Sequence, residues 1–215
     1  MIPTDARTFL NDELPVPIRP LFVAAVSRAY AIVADHFNEF DFLNWPVGRD
    51  HLRFLRRVAV EYQIKHLIDK NQLPLRYRIA PNAIDNCRHL EIITGRSIVT
   101  ISQVVSPGSV PRRADYRNNL SLCNQISFDF QEDCGEDAVF VLDRPYYILL
   151  THGYMRREPD FICLGIPEPS VKGWITQINL LREPHQVALP EIEPETEEML
   201  VQLKENVREV LQHGT

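Results

Sequence analysis

Between Ile18 and Phe40 apolar side chains recur at Phe22, Val26, Ala29, Val33 and Phe37, steps of three and four that line one face of a helix about five turns long. A second helix is expected over 48–70. Leu52, Leu55, Ala59, Tyr62 and Leu67 form its apolar stripe, Arg49, Arg53, Arg56 and Arg57 line another side, and Asn71 and Pro74 end it. Three prolines between Asn11 and Pro20 predict an extended or irregular lead-in. The aromatic stretch Phe40–Pro46 predicts a loop between the helices.

After Pro74 the period falls to two. Leu75, Tyr77 and Ile79 alternate with Arg76 and Arg78, the pattern of a half-exposed strand. His89–Thr94 and Arg96–Val105 are β-branched runs joined by Thr94-Gly95, a hairpin junction. Arg112–Asn124 reads as loop or short helix. Ile126–Phe130, Ala138–Leu142, Tyr146–Thr151, Phe161–Ile166 and Trp174–Leu181 are further strand candidates. The order predicts an α+β domain over 1–182. Its mainly antiparallel or mixed sheet would have about 6–8 strands, with two N-terminal helices packed on it. An acidic, proline-rich strap (183–195) follows, then an amphipathic helix (196–213) with Leu200, Leu203, Val207 and Val210 at 3-4-3 spacing.

With 215 residues, 45% hydrophobic and 24% charged, the chain has globular composition, which excludes disorder along most of its length. Uninterrupted apolar runs such as Tyr146–Leu150 fall well short of the ~20 residues that cross a bilayer, so no membrane partner is expected. The N-terminus lacks the basic and apolar regions of a secretory signal. Cys87, Cys123, Cys134 and Cys163 form no Cys-x-x-Cys pair, so no structural zinc is expected, and a reducing, cytoplasmic setting fits them.

Charge is divided unevenly. Residues 1–48 carry a net −3, residues 49–117 a net +7 and residues 118–215 a net −10, within a total of −6. A basic block inside an acidic protein can draw an anionic partner across a Debye length of about 8 Å. No phosphate-cradling glycine loop, Gly-x-Ser-x-Gly elbow or His-Glu-x-x-His helix occurs. This argues against the common nucleotide-binding enzymes, serine hydrolases and zincins.

The candidates for function are therefore few. Arg49, Arg53, Arg56 and Arg57, with Arg76 and Arg78 on a strand and Arg112, Arg113 and Arg117 beyond, are candidate anion-binding residues, because guanidinium forks match phosphate and carboxylate. Tyr77 and Tyr116 lie among them and could stack on a base. This set leads to the first expectation, a cytoplasmic module that binds nucleic acid or another polyanion without cofactor or catalysis. A second expectation is a Mg²⁺-dependent nuclease or phosphodiesterase with Asp160, Glu168 and Lys172 as its acids and lysine and His152 as base. Pro159-Asp160…Glu168 partly resembles the Pro-Asp…Glu-x-Lys pattern of the restriction-endonuclease-like superfamily. It departs in the prolines flanking Glu168 and in Lys172 standing four residues on. A third expectation is an interaction subunit forming a homodimer through residues 196–213.

Overall fold

The computed structural model describes residues 5–82, 85–128, 145–153, 158–169 and 171–183. The Asp5 carboxylate accepts the Thr8 backbone N–H at 2.8 Å and so caps helix α1 (Ala6–Glu13), which sinks Phe9 and Leu10 completely. This corrects the irregular reading of the lead-in. The prolines that suggested it stand where helices tolerate them, at the start of a 3-10 turn (Val16–Ile18) and in the first turn of α2 (Arg19–Glu39), positions whose N–H groups have no helical partner.

The helix expected over 48–70 is divided in two, α3 (Pro46–Asp50) and α4 (Leu52–Asp69). Gly48 makes the tight entry to α3 possible, since a Cβ there would lie 2.5 Å from the Leu43 carbonyl oxygen and 2.6 Å from that of Phe42. The buried side of α4 is rotated from the expected stripe. Ala59 and Leu67 of that stripe face inward together with Arg56, Val60, Gln63 and Ile64, while Leu52, Leu55 and Tyr62 are only half-buried.

Six strands follow: β1 (Arg76–Pro81), β2 (Arg88–Ile93), β3 (Ser97–Gln103), β4 (Tyr146–His152), β5 (Ile162–Pro167) and β6 (Trp174–Asn179). They lie in sequence order in one mixed sheet, so the fold is α+β. Neighbours are antiparallel except β3 and β4, which run parallel and carry α5 (Asp115–Phe128) in their crossover. The strand expected at Ile126–Phe130 is thus, to Phe128, the last turn of α5. Ala138–Leu142, the strap from 184 onward and the helix over 196–213 lie outside the described residues.

One face of the sheet supplies Leu90, Ile92, Val99, Ile101, Ile148, Leu150, Ile162, Leu164 and Ile178 to the principal core, shared with Phe9, Leu10, Phe22, Val26, Val60 and Ile64 of the helices. The other face is more polar and meets α5. There Asn124, fully buried, receives the Tyr147 N–H at 2.9 Å and donates to the Tyr147 and Pro167 carbonyls at 3.0 and 2.9 Å. It satisfies the start of β4 as a neighbouring strand would.

Two buried charges tie the N-terminal segment to the sheet. Glu13 accepts from the Arg96 backbone N–H at 2.7 Å, from Arg96 Nε at 3.0 Å and from the Thr94 hydroxyl, which anchors the β2–β3 turn. Arg19, 1% exposed, donates to the Leu14 carbonyl at 2.7 Å, to Glu183 at 2.6 Å and to Asn11 at 2.6 Å. The segment Val16–Phe37 is long and apolar enough to cross a membrane by length and composition, with mean hydropathy 1.4, a property that uninterrupted runs do not reveal. Half of it is buried inside the fold, and among its residues Phe22, Val26, Tyr30 and Val33 belong to the core.

Candidate functional site

The parallel pair ends with Gln103 of β3 beside His152 of β4, at the edge of the sheet where β2 and β5 begin. Carboxyl ends of parallel strands are where open sheets place ligand groups, because the crossover leaves a crevice there. Tyr30 of α2 and Arg56 of α4 reach this edge from the helical layer. The Arg56 guanidinium carbon sits 4.7 Å from the Tyr30 ring centroid, and the Tyr30 hydroxyl lies 2.8 Å from His152 Nδ1 and donates to the Gly153 carbonyl. Gln103 lies against the same phenol.

Tyr30, Arg56 and His152 are dry, whereas Gln103 is half-buried. Arg56 is 3% exposed and His152 fully buried. Burial pushes the Tyr30 hydroxyl up to about 12, with Arg56 and Gln103 opposing and Asp160 reinforcing the shift. Burial also holds His152 down to about 4, against a smaller upward push from its bond to the Gly153 carbonyl and with the Arg56 charge adding to the fall. The imidazole is therefore neutral in neutral solution. Desolvation likewise lowers the pKa of Arg56, but from so high a starting value that the guanidinium stays charged.

Polar groups this deep normally have partners. Here Nε and Nη1 of Arg56, Nε2 of Gln103 and Nε2 of His152 have none among the described residues. Arg56 forms no ion pair among those residues either, and the Tyr30 phenol is the group that raises its pKa against burial. A buried cation without a carboxylate is costly, and an incoming anion would relieve that cost.

The remaining arginines are dispersed. Arg57 lies over the Phe54 ring, 3.5 Å from Cys87 Sγ and 3.9 Å from Glu61, whose pKa burial raises against the pull of Arg57, His89 and Arg117. Arg117 donates to the Arg112 carbonyl at 2.6 Å and covers the Tyr116 ring. Arg78 is bound to the buried Glu91 at 2.6 Å. Arg49 belongs to α3, apart from α4, and donates to Asn44 at 2.7 Å. Arg53, Arg76, Arg112 and Arg113 are exposed. The aromatic interleaving is already engaged, since Tyr116 stacks on His89 at 3.9 Å and Tyr77 donates to Asp69 at 2.9 Å. Of the nine arginines, Arg56 is the one held at the end of the parallel pair beside His152.

The proposed acids separate. His152 pairs with Ile162, so Asp160 lies near its end of β5. Glu168 and Lys172 occupy the turn at the far end, where the Glu168 N–H bonds the Gly173 carbonyl at 3.0 Å. The strand between Ile162 and Pro167 spans about 16 Å. One Mg²⁺ gathers oxygens at about 2.1 Å, so it cannot take both carboxylates. Among the described residues no three His, Cys, Asp or Glu side chains group as metal ligands. Cys87 and Cys163 form no disulfide, and burial pushes Cys163 up to about 11, which makes it a poor nucleophile at neutral pH.

Tyr30 and Gln103 were not among the sequence candidates. Each looks like an ordinary polar position at the margin of an apolar pattern, and nothing in the order of residues connects 30 with 103 or 152. The chain matches no family model, no curated protein and no solved structure.

Proposed function

We propose that this protein is a binding module for an anionic ligand, with Arg56 as its anchor at the end of the β3–β4 pair. The observation that carries this reading is a guanidinium that is 3% exposed, lacks an acidic partner among the described residues and leaves two of its nitrogens, Nε and Nη1, unbonded there. Arg53, exposed three residues earlier on α4, would add long-range attraction near that anchor. Burial of the anchor favours a terminal anionic group that can enter, over a polymer backbone passing across the surface. A reducing, cytoplasmic setting suits the unpaired Cys87 and Cys163 thiols.

Thermal melting in the presence of inorganic phosphate, pyrophosphate and a mononucleotide tests the reading. Wild type should gain stability from at least one of them, less so as NaCl rises, and Arg56→Gln should gain none. Arg113→Gln should respond like wild type. If no phosphate-bearing anion moves the wild-type transition, the proposal is wrong.

A further inference from the structure

The corner where α2 hands over to α3 and α4 is built unlike the rest of the surface. Every phenylalanine and tryptophan ring that stands exposed among the described side chains falls there, at Phe40, Phe42, Trp45 and Phe54. Val47 and Val58 add to the same segment. Of residues 40–55 only Gly48 is buried, so the corner stands out from the packed helices. The Phe40 and Phe42 ring centroids are 5.9 Å apart, and the close approach at Gly48 holds their loop against the start of α3. A concentrated apolar patch on a folded chain marks a surface that meets a partner.

Guanidinium groups accompany these rings. Trp45, Arg49, Arg53 and Arg57 follow one another at steps of four residues, one helical turn each. Arg49 belongs to α3 and the other two to α4, but only His51 separates the helices, and its own backbone is helical. Arg49 and Arg53 are exposed, and Arg49 is braced by Asn44 at 2.7 Å. The Arg57 guanidinium carbon lies 5.4 Å from the Phe54 ring centroid and backs a ring that stays more than half exposed. Residues 40–58 contain no lysine and no glutamate, and their only carboxylates are Asp41 and Asp50.

We infer that this corner binds single-stranded nucleic acid, with Phe42, Trp45 and Phe54 stacking on bases while Arg49 and Arg53 meet the phosphates. Arg56, on the buried side of α4, takes no part, so this surface is independent of the anion site proposed above. Open rings stack on any base, and guanidinium forks match phosphate oxygens. Bases inside a duplex have both faces covered, which restricts the partner to a single strand. An anionic bilayer would press Asp41 and Asp50 against its headgroups together with the rings, whereas a strand passes between them.

The test is fluorescence anisotropy of a labelled oligothymidylate of about twelve nucleotides, titrated with the full chain at low salt beside a duplex of the same length. Wild type should bind the single strand about tenfold or more tightly than the duplex and lose affinity as NaCl rises. Trp45→Ala and Phe54→Ala should each weaken binding about tenfold, whereas Trp45→Phe, which keeps a ring, should stay within about threefold of wild type. Arg53→Gln should weaken binding and reduce the salt slope by about 1. Stacking should quench the tryptophan emission of wild type, and Trp45→Phe, which keeps only Trp174, should bind without that quenching. The measurement on wild type stands whether or not a variant folds. Failure of wild type to bind the single strand, or equal binding of strand and duplex, would overturn the inference, as would wild-type affinity in both alanine variants. Binding to phosphatidylserine vesicles without binding to the oligonucleotide would assign the surface to a lipid and overturn it as well.

Discussion

The Tyr30 hydroxyl and His152 Nδ1 stand 2.8 Å apart in a part of the fold that water does not reach. Burial of the imidazole makes stability depend on pH. Burial holds the folded imidazole down to about 4, against an ordinary value of 6.5. Between those two values the unfolded chain binds a proton that the folded chain refuses. The stabilisation is therefore complete above pH 6.5 and is lost as pH falls toward 4, by about 3 kcal/mol in all. Urea midpoints followed across that window should fall steeply for wild type and less steeply for His152→Gln. Parallel slopes would rule out this account of His152.

Glu13 sets a different window. Burial raises its pKa, but hydrogen bonds from Thr94 and Arg96 outweigh burial and hold the carboxyl below its ordinary 4.5. Its contribution is present above that value and fades as pH drops below it. Replacing it with alanine leaves the Arg96 N–H at the β2–β3 turn without its acceptor and takes one partner from the Thr94 hydroxyl. We expect Glu13→Ala to cost about 3 kcal/mol in denaturant unfolding. Amide exchange at Arg96 and Ser97 should accelerate before the rest of the sheet opens. Unchanged protection at the turn would mean that the carboxylate does not anchor it.

Arg19 joins the α1–α2 connection to the residue that follows the last described 3-10 turn (Leu180–Arg182) through its bond to Glu183. Because the guanidinium is 1% exposed, truncation removes one partner of a buried pair and leaves the Leu14 carbonyl unbonded. Arg19→Ala should lose about 3–5 kcal/mol, and Asn11→Ala, which removes a single bond to the same group, about 1 kcal/mol. Comparable losses for the two variants would show that the guanidinium does not work as a clamp.

Patterning made much of this architecture legible. Alternation at Leu75, Tyr77 and Ile79 corresponds to β1, Thr94-Gly95 stands between β2 and β3, and the three-and-four spacing from Phe22 to Phe37 corresponds to α2. The misreadings have local causes. Proline density made 11–20 read as irregular and hid the end of α1, although Asp5 directly before Ala6 is an ordinary capping residue. In α5 the run from Ile126 looked like a strand, because a short apolar stretch has no period long enough to tell a helix end from a strand. Arg56 was assigned to the polar side of its helix since hydropathy alone sends arginine outward. In the fold it falls in line with Val60, Ile64 and Leu67, and the depth of Tyr30 and His152 accepts it.

Side-chain order along the chain thus decided which segments coil or extend, because those periodicities are local consequences of backbone geometry. It also supplied the concentration of arginine between 49 and 117. Which one of those arginines is stripped of water, and that Tyr30, Gln103 and His152 meet it, was decided by packing α2 and α4 against one end of a parallel strand pair. Desolvation and hydrogen-bond pairing depend on neighbours remote in the chain, and no spacing rule carries them.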